Sequence, residues 1–253
     1  MKRLFLAAIL APLLTTALSS QPIPYPPKPI IQDDVIFAEV DDMAVVEAEH
    51  FYKQTMNGVR AWYLNSPVHR PHVQPDYDDA SFESAGGLCY MEALPDLFHT
   101  DEDPIIAGHN LGTKGDSVAV MHYKVHFNSA GTYYLWTRLR SNDEEDNTTQ
   151  AGINDTWPET AKTLQSPVNK KEWIWKSDNR ISRTPWKMGR STLDIPSPGV
   201  HDIQFCMRED GEEFDRFLLT KDENYQPDAI GPEVKLKQGS LWNGSRTHIN
   251  GAL

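Results

Sequence analysis

From residue 116 to residue 220 the chain is written in short apolar–polar alternations: DSVAVMHYKVHF, TYYLWTRLR, KEWIWKS, STLDI, HDIQFCM and FDRFLLT. An alternation of period two buries one face of a β-strand, and no sustained stripe at helical spacing competes with it. Turn formers separate the runs, NSAG at 128–131 and PSPG at 196–199 among them. A chain of this kind is expected to be all-β, a sandwich of two antiparallel sheets, with closure between its first and last strands favouring a jelly roll. The segment from Trp62 to Gly112 is rich in Pro, Asp, His and Asn and is read as a long excursion of loops with one short helix. No internal repeat is visible.

The flanks are of a different character. Residues 1–21, MKRLFLAAILAPLLTTALSSQ, place Lys2 and Arg3 before an apolar run and small residues after it, the pattern of a secretory signal peptide. Pro12 and the shortness of the run argue against a retained membrane span. Residues 22–35 follow with five prolines, at 22, 24, 26, 27 and 29, which enforce an extended spacer. The globular domain is expected over 36–232, and 233–253 reads as a loose tail, its Gly, Asn and Ser content lacking periodicity.

Charge narrows the class of partner. The chain has 24 Lys and Arg against 36 Asp and Glu, and without Lys2 and Arg3 the balance is 22 against 36, a net −14. Nucleic acid is not the expected partner of such a surface, which suits neutral or basic ligands and divalent cations. Nothing points beyond a monomer. Cys89 and Cys206 can form at most one disulfide in an oxidising compartment, and no zinc-type cysteine spacing exists.

The stretch VVEAEHF at 45–51 poses a specific question. Read as one strand, Glu47 and Glu49 share a face, and like charges two residues apart repel. Either that face is solvated or a cation lies between them. The spacing alone leaves both open.

Three pieces carry a family resemblance: FAEVDDMAVVEAEHF, GDSVAVMHYKVHFNSAGTYYLWTRLRS and GVHDIQFCMREDGEEFDRFLLT. In that order they resemble the opening, middle and final strands of carbohydrate-binding modules of the family 6/35 type. The first and last are also similar to the C-terminal module of family 115 glycoside hydrolases. The resemblance implies a β-sandwich with a structural calcium, Ca2+, held by Glu47, Glu49 and Asp215 and completed by backbone carbonyls. Calcium takes six to eight hard oxygens, so the residue types agree. The Trp62–Gly112 excursion and the stretch NDTWPETAKTLQSPVNKKEWIWK depart from the family pattern, and both fall where ligand loops would lie.

Common catalytic signatures are missing: no Gly-x-Ser-x-Gly, no His-Glu-x-x-His, no phosphate loop. A pair of acids for glycoside cleavage needs no signature, so SNDEEDN (141–147) and REDGEE (208–213) are either solvated loops or the place where such a pair lies. His69, His72, His99 and His109 need no special role in a chain with nine histidines. Aromatic rings in polar surroundings are candidates for stacking on sugar faces. Trp157 in NDTWPET is the first, and Trp173 and Trp175 in KEWIWK form either a binding face or a sheet interior. Trp136 is assigned to the core.

A loop-end site would combine Trp157 with Arg140, Asn142, Asn154 and Glu209 as hydroxyl partners, provided that 140–147, 154–157 and 209–213 converge. Asn147, Asn154 and Asn243 head glycosylation sequons for a eukaryotic host. The expected function is a secreted, calcium-stabilised protein that binds a polysaccharide or oligosaccharide without cleaving it. The competing readings are a polysaccharide lyase or glycoside hydrolase on the same scaffold and a protein-binding adhesion domain.

Overall fold

A computed structural model of the protein describes residues 34–56, 60–113, 115, 118–166 and 171–238. The expected leader, most of the Pro-rich spacer and the tail beyond 238 lie outside the described residues. In chain order the strands are β1 (Ile36–Ala38), β2 (Met43–Glu47), β3 (Lys53–Thr55), β4 (Ala61–Asn65), β5 (Tyr90–Leu94), β6 (Val120–Phe127), β7 (Gly131–Arg140), β8 (Thr148–Ile153), β9 (Leu164–Gln165), β10 (Ile174–Lys176), β11 (Asp178–Arg183), β12 (Trp186–Arg190), β13 (Thr192–Ile195), β14 (Gly199–Met207) and β15 (Glu213–Thr220). Helical structure among the described residues is limited to single 3-10 turns at 48–50, 86–88 and 159–161. No helix among them is long and apolar enough to cross a membrane.

The strands form two sheets. The first runs β1-β6-β14-β8-β9-β11-β12, with β3 also paired to β6. The second runs β10-β7-β15-β5-β4, with β13 paired to β7 and β2 to β15. Apart from the parallel β1–β6 pair the ladders are antiparallel. Consecutive elements cross repeatedly between sheets, so each strand leaves its inner face against the other sheet, and a β-sandwich results. The last strand, β15, pairs with β2, the second strand, with Glu47 facing Arg216 and Val46 facing Phe217, whereas the first, β1, pairs with β6 in the other sheet.

Alternation sets the core. Ile203, Phe205 and Met207 of β14 point inward against Phe214, Phe217 and Leu219 of β15. Phe205 stands with its ring centroid 4.7 Å from both Phe214 and Phe217, and all three are fully buried. Rings so placed make some of the largest contributions to stability, since truncating one typically costs ~3–5 kcal/mol.

Two readings of the sequence, those of the 62–112 excursion and of the tail, are revised, and the settings of Trp136 and of the cysteines are made specific. The 62–112 excursion is not all loop, because AWYLN and YMEAL pair as β4 and β5 and extend the second sheet. Trp136 is buried, but in a small cluster on the outer face of that sheet, with Val45, Trp175 and Leu218 and with Tyr225 and Val234 against it. Residues 233–238 are not a loose tail: Ala38 N–H donates to the Lys235 carbonyl at 2.8 Å and Lys237 N–H to the Ile36 carbonyl at 2.8 Å. Cys89 and Cys206 sit in different settings, Cys89 Sγ donating to Glu49 Oε1 at 3.1 Å and Cys206 Sγ to the Val118 carbonyl at 3.0 Å.

Candidate functional site

The outer face of the second sheet carries charge where an apolar or solvated surface would be ordinary. Because Met91, Leu139 and Phe214 face the core, the alternation turns Glu92, Arg140 and Glu213 outward. The register then sets Tyr63 opposite Glu92, Glu92 opposite Glu213 and Glu213 opposite Arg140, one row across four strands. A bulge between Phe214 and Arg216 brings the extra residue, Asp215, beside Arg138. Arg138 donates to Asp215 Oδ2 at 2.5 Å, and Arg216 grips Glu47 through Nη2 on Oε1 and Nε on Oε2.

Two loops roof this array. The Ser84 carbonyl accepts from Arg138 Nη2 at 3.0 Å, the Ala229 carbonyl accepts from Arg138 Nε at 3.1 Å, and Gly86 N–H donates to Asp215 Oδ1 at 2.7 Å. Space at Gly86 is tight: a Cβ there would meet Glu47 Oε2 at 2.8 Å and Asp215 Oδ1 at 3.0 Å. Beside the array, a cleft of about 720 Å³ opens between Glu47, Arg216 and the 230–236 segment.

At the end of the sheet, the two acidic loops meet under the excursion. They are buried, not solvated: Asp210, Glu212 and Glu213 are fully buried, and Asp146 and Glu209 are 1% exposed. Some of these acids organise loops. Asp146 accepts from Ser141 Oγ and from the Asn142 and Asp143 amides, and Asp210 accepts a forked pair from Arg60 plus the Leu97 and Phe98 amides. Others are not spent. Glu92 Oε1, Asp96 Oδ1, Glu213 Oε1 and both oxygens of Glu212 are buried without a hydrogen-bonding partner.

Desolvation is the first cause of the resulting pKa shifts, and neighbouring acids are the second. Burial, followed by Glu213, pushes Asp78 up to about 7. Burial, followed by Asp210 and Asp78, pushes Asp96 up to about 9. Glu213 rises to about 7 by burial, although Arg140 pulls it down. Glu92 is raised by burial and then by Glu213, and Glu145 rises to about 7 by burial and a hydrogen bond with Asp101. At the mouth Tyr77 is 59% exposed and stacks on the His99 ring, centroids 4.6 Å apart at 21°. His99 Nδ1 contacts the Asp143 carboxylate.

The residues singled out from sequence divide accordingly. Arg140, Asn142 and Glu209 are all at the acid end, buried, with Arg140 bonded to Glu213 and Glu209 accepting from the Asn147 amide at 3.2 Å. Asn154 and Trp157 are not with them. They follow the far end of β8, six residues from Asn147, and only two of the three expected segments converge. Asn154 bonds His201 and the Asp202 amide. The Trp157 ring lies against Gly152 and Gly115 and is half-buried, so one of its faces is already covered. Trp173 donates to the Ser81 carbonyl at 2.8 Å and meets Tyr90 edge-on, while Trp175 donates to the Ala229 carbonyl at 3.1 Å within the outer cluster. Both rings of KEWIWK are thus engaged by the protein itself, Trp175 buried and Trp173 half-buried.

The calcium trio does not fit the ion it was expected to hold. The strand ends at Glu47, and Glu49 lies in the 3-10 turn that follows, so the two glutamates do not share a strand face. Glu47 and Asp215 have their charge met by Arg216 and Arg138, with both oxygens of each already used. The charge of Glu47 is met by Arg216 and that of Asp215 by Arg138, while Glu49 accepts from Cys89 Sγ.

Sequence reasoning missed Tyr77, Asp78, Glu92 and Asp96. The signal for Glu92 was the alternation of YMEAL, which places a carboxylate on the face opposite Met91 and Ala93. PDYDD gave no such signal, because only the fold brings that loop over β5 and β15.

No family model matches the chain. Uncharacterized protein P23 of Formosa agariphila is 40% identical over 215 residues, which is 85% of this chain and 52% of that protein. The chain thus spans about half the length of the curated relative it matches. Among solved structures, it is similar to a Podospora anserina GH26-CBM35 β-(1,4)-mannanase at a TM-score of 0.40 and 11% identity, over 77% of this chain and 31% of that one. A similar outline occurs in the CBM35 of Paenibacillus barcinonensis, at a TM-score of 0.33 and 10% identity, over 70% of this chain and 98% of that one. An exo-β-1,3-galactanase of Phanerochaete chrysosporium gives a TM-score of 0.39 at 12% identity, over 72% of this chain and 30% of that one.

Proposed function

We propose that this chain is a secreted carbohydrate-binding protein whose ligand lies across the mouth of the acid pocket. One observation carries the reading: the Tyr77 ring is 59% exposed, is held flat by His99, and borders carboxylate and amide groups at Asp78, Asn142 and Asp143. Sugars present apolar C–H faces to such a ring and paired hydroxyls to such acceptors. The sequence motifs shared with family 6/35 modules support the same reading. Neutral sugars suit the site, since a polyanion would meet an excess of carboxylates.

Retention on a panel of insoluble and gel-embedded polysaccharides is the test. Tyr77→Ala should abolish retention with an unchanged melting temperature, because an exposed ring contributes little to the fold. Unchanged retention in a folded Tyr77→Ala protein refutes this site. A second reading has its own support. Burial pushes both Asp78 and Glu213 up to about 7, and Glu213 is near enough to raise Asp78, which lets one carboxyl be protonated while the other is ionised, the division of labour that glycoside cleavage uses. Reducing or unsaturated ends released from a retained polysaccharide, and lost in Asp78→Asn, would favour that reading.

A further inference from the structure

The first sheet ends in a hairpin that the fold leaves uncovered. β11 and β12 close that sheet at its edge, and there Trp186 is 59% exposed and Ile181 55%. Its charge runs against that of the chain: residues 176–190 carry five Lys and Arg and one Asp, in a protein of net −12. The one acid, Asp178, pairs with Lys176, and among the described residues Arg180, Arg183 and Lys187 have no ion pair.

The ladders decide which cations share a face. Leu164 is in the core and Asn179 is its register partner, so Asn179 turns inward and Arg180 outward. The register sets Arg180 opposite Met188 and Arg183 opposite Trp186, and the bulge between Arg180 and Ser182 keeps both arginines on the outer face. Arg208 reaches the same face, since Met207 before it is in the core. Arg180 donates to Gln165 Oε1 at 2.7 Å and Arg208 to Thr148 Oγ1, and Thr148 and Gln165 are themselves register partners. The Trp186 ring stands 5.7 Å from the Arg180 guanidinium.

Carboxylates do not balance this trio. Glu209 answers Arg208 and also takes the Asn147 amide, and Glu145, close enough to feel Arg183, has its charge weakened by burial. Burial, then Arg208 and Arg183, lowers Arg180 to about 10, which leaves it charged at neutral pH.

We propose that this face binds a sulfated polysaccharide, with a sulfate ester between Arg180, Arg183 and Arg208 and a sugar ring stacked on Trp186. The number of guanidiniums selects the anion. A carboxylate has two oxygens in one plane and is filled by one guanidinium fork, whereas a sulfate ester directs three oxygens to separate donors. An exposed indole offers the flat apolar surface that a sugar ring covers. Nucleic acid, charged at every unit, would meet the acidic remainder of the chain. That the carrier is a polysaccharide rests on the carbohydrate-binding reading, but the face shares no residue with the Tyr77 mouth.

Affinity electrophoresis of the full chain in native gels containing carrageenan or fucoidan tests it, with the chemically desulfated polymers, polygalacturonate and single-stranded DNA as comparators. Retardation by at least one sulfated polymer at about 0.15 M salt is expected, and none by its desulfated form. Arg183→Ala and Trp186→Ala, both at exposed positions, should each weaken it at least about tenfold with an unchanged melting temperature. Tyr77→Ala should leave it intact, so that a failure of the Tyr77 site on neutral polysaccharides and a failure of this face are read separately. The proposal is overturned by folded protein that neither sulfated polymer retards, by retardation that survives Arg183→Ala and Trp186→Ala together, or by its loss in folded Tyr77→Ala. Equal retardation by polygalacturonate or DNA at matched charge overturns it as well.

Discussion

The Arg216–Glu47 pair ties β15 to β2 across 169 residues, and breaking it tests whether arginines, in place of an ion, neutralise the outer face. The side chains are 5% and 6% exposed, so removing one partner strands a buried charge, at ~3–5 kcal/mol. The two truncations should not cost the same. After Glu47→Gln, Arg216 keeps the Ile230 and Pro232 carbonyls and the neighbouring Asp215, which places the loss near the lower end, ~3 kcal/mol. After Arg216→Met, Glu47 keeps no cation and repels Asp215, so the loss belongs near ~5 kcal/mol.

The double variant removes both charges at nearly constant volume and should lie within about 2 kcal/mol of the original, since apolar replacements of buried pairs are often neutral or better. The resulting coupling energy is at or above the ~3 kcal/mol seen for strongly linked residues. Urea unfolding with unchanged slope measures it, and in melting experiments Arg216→Met should fall by roughly 10–20 °C at ~2–4 °C per kcal/mol. Additive losses, or an Arg216→Met protein as stable as the original whose midpoint drops on chelation, would refute the arginine account.

Glu145→Gln probes the acid end by pH. The Glu145 pKa is raised to about 7 in the fold from an ordinary 4.5, so its stabilising contribution is complete below about 4.5 and is lost as pH rises through about 7. The variant should therefore match the original at pH ~4.5 and melt higher at pH ~8, and a pH-independent difference in melting temperature refutes the shift. Trp157→Ala should lose ~2–3 kcal/mol, less than a fully buried ring, and keep polysaccharide retention; a loss of retention in folded protein would return Trp157 to the site. Gly86→Ala should cost ~1–3 kcal/mol by pushing Asp215 and Glu47 apart, read as a lower urea midpoint, and an unchanged midpoint would show that the roof yields freely.

How far the sequence reaches depends on whether a feature is local. Period-two alternation is a property of a few adjacent residues, so β6, β7, β10, β13, β14 and β15 were all legible, with β7, β14 and β15 beginning one or two residues before the run that announced them. It failed for β4 and β5 because the Pro- and Asp-rich loop between them dominates the local composition, although YMEAL alternates as well as STLDI does. Convergence is not local. SNDEEDN and REDGEE read as solvated loops because each alone could be hydrated. Burial follows only when β7, β8 and β15 bring their ends together and the excursion covers them.

The same limit explains why the settings of Glu47 and Trp157 were not legible. Glu-x-Glu invites a cation, but the residue that answers Glu47 is Arg216, which the β2–β15 register supplies from the far end of the chain. Trp157 looked exposed by its polar neighbours, yet Gly115 and Gly152 offer it a surface without side chains, and a ring takes that surface because burying its area stabilises. Composition counts 36 acids without ranking them. The fold ranks them by how many have already found a cation or a backbone amide. Asp146, Asp210, Glu47 and Asp215 have, whereas Glu92, Asp96, Glu212 and Glu213 retain bare oxygens.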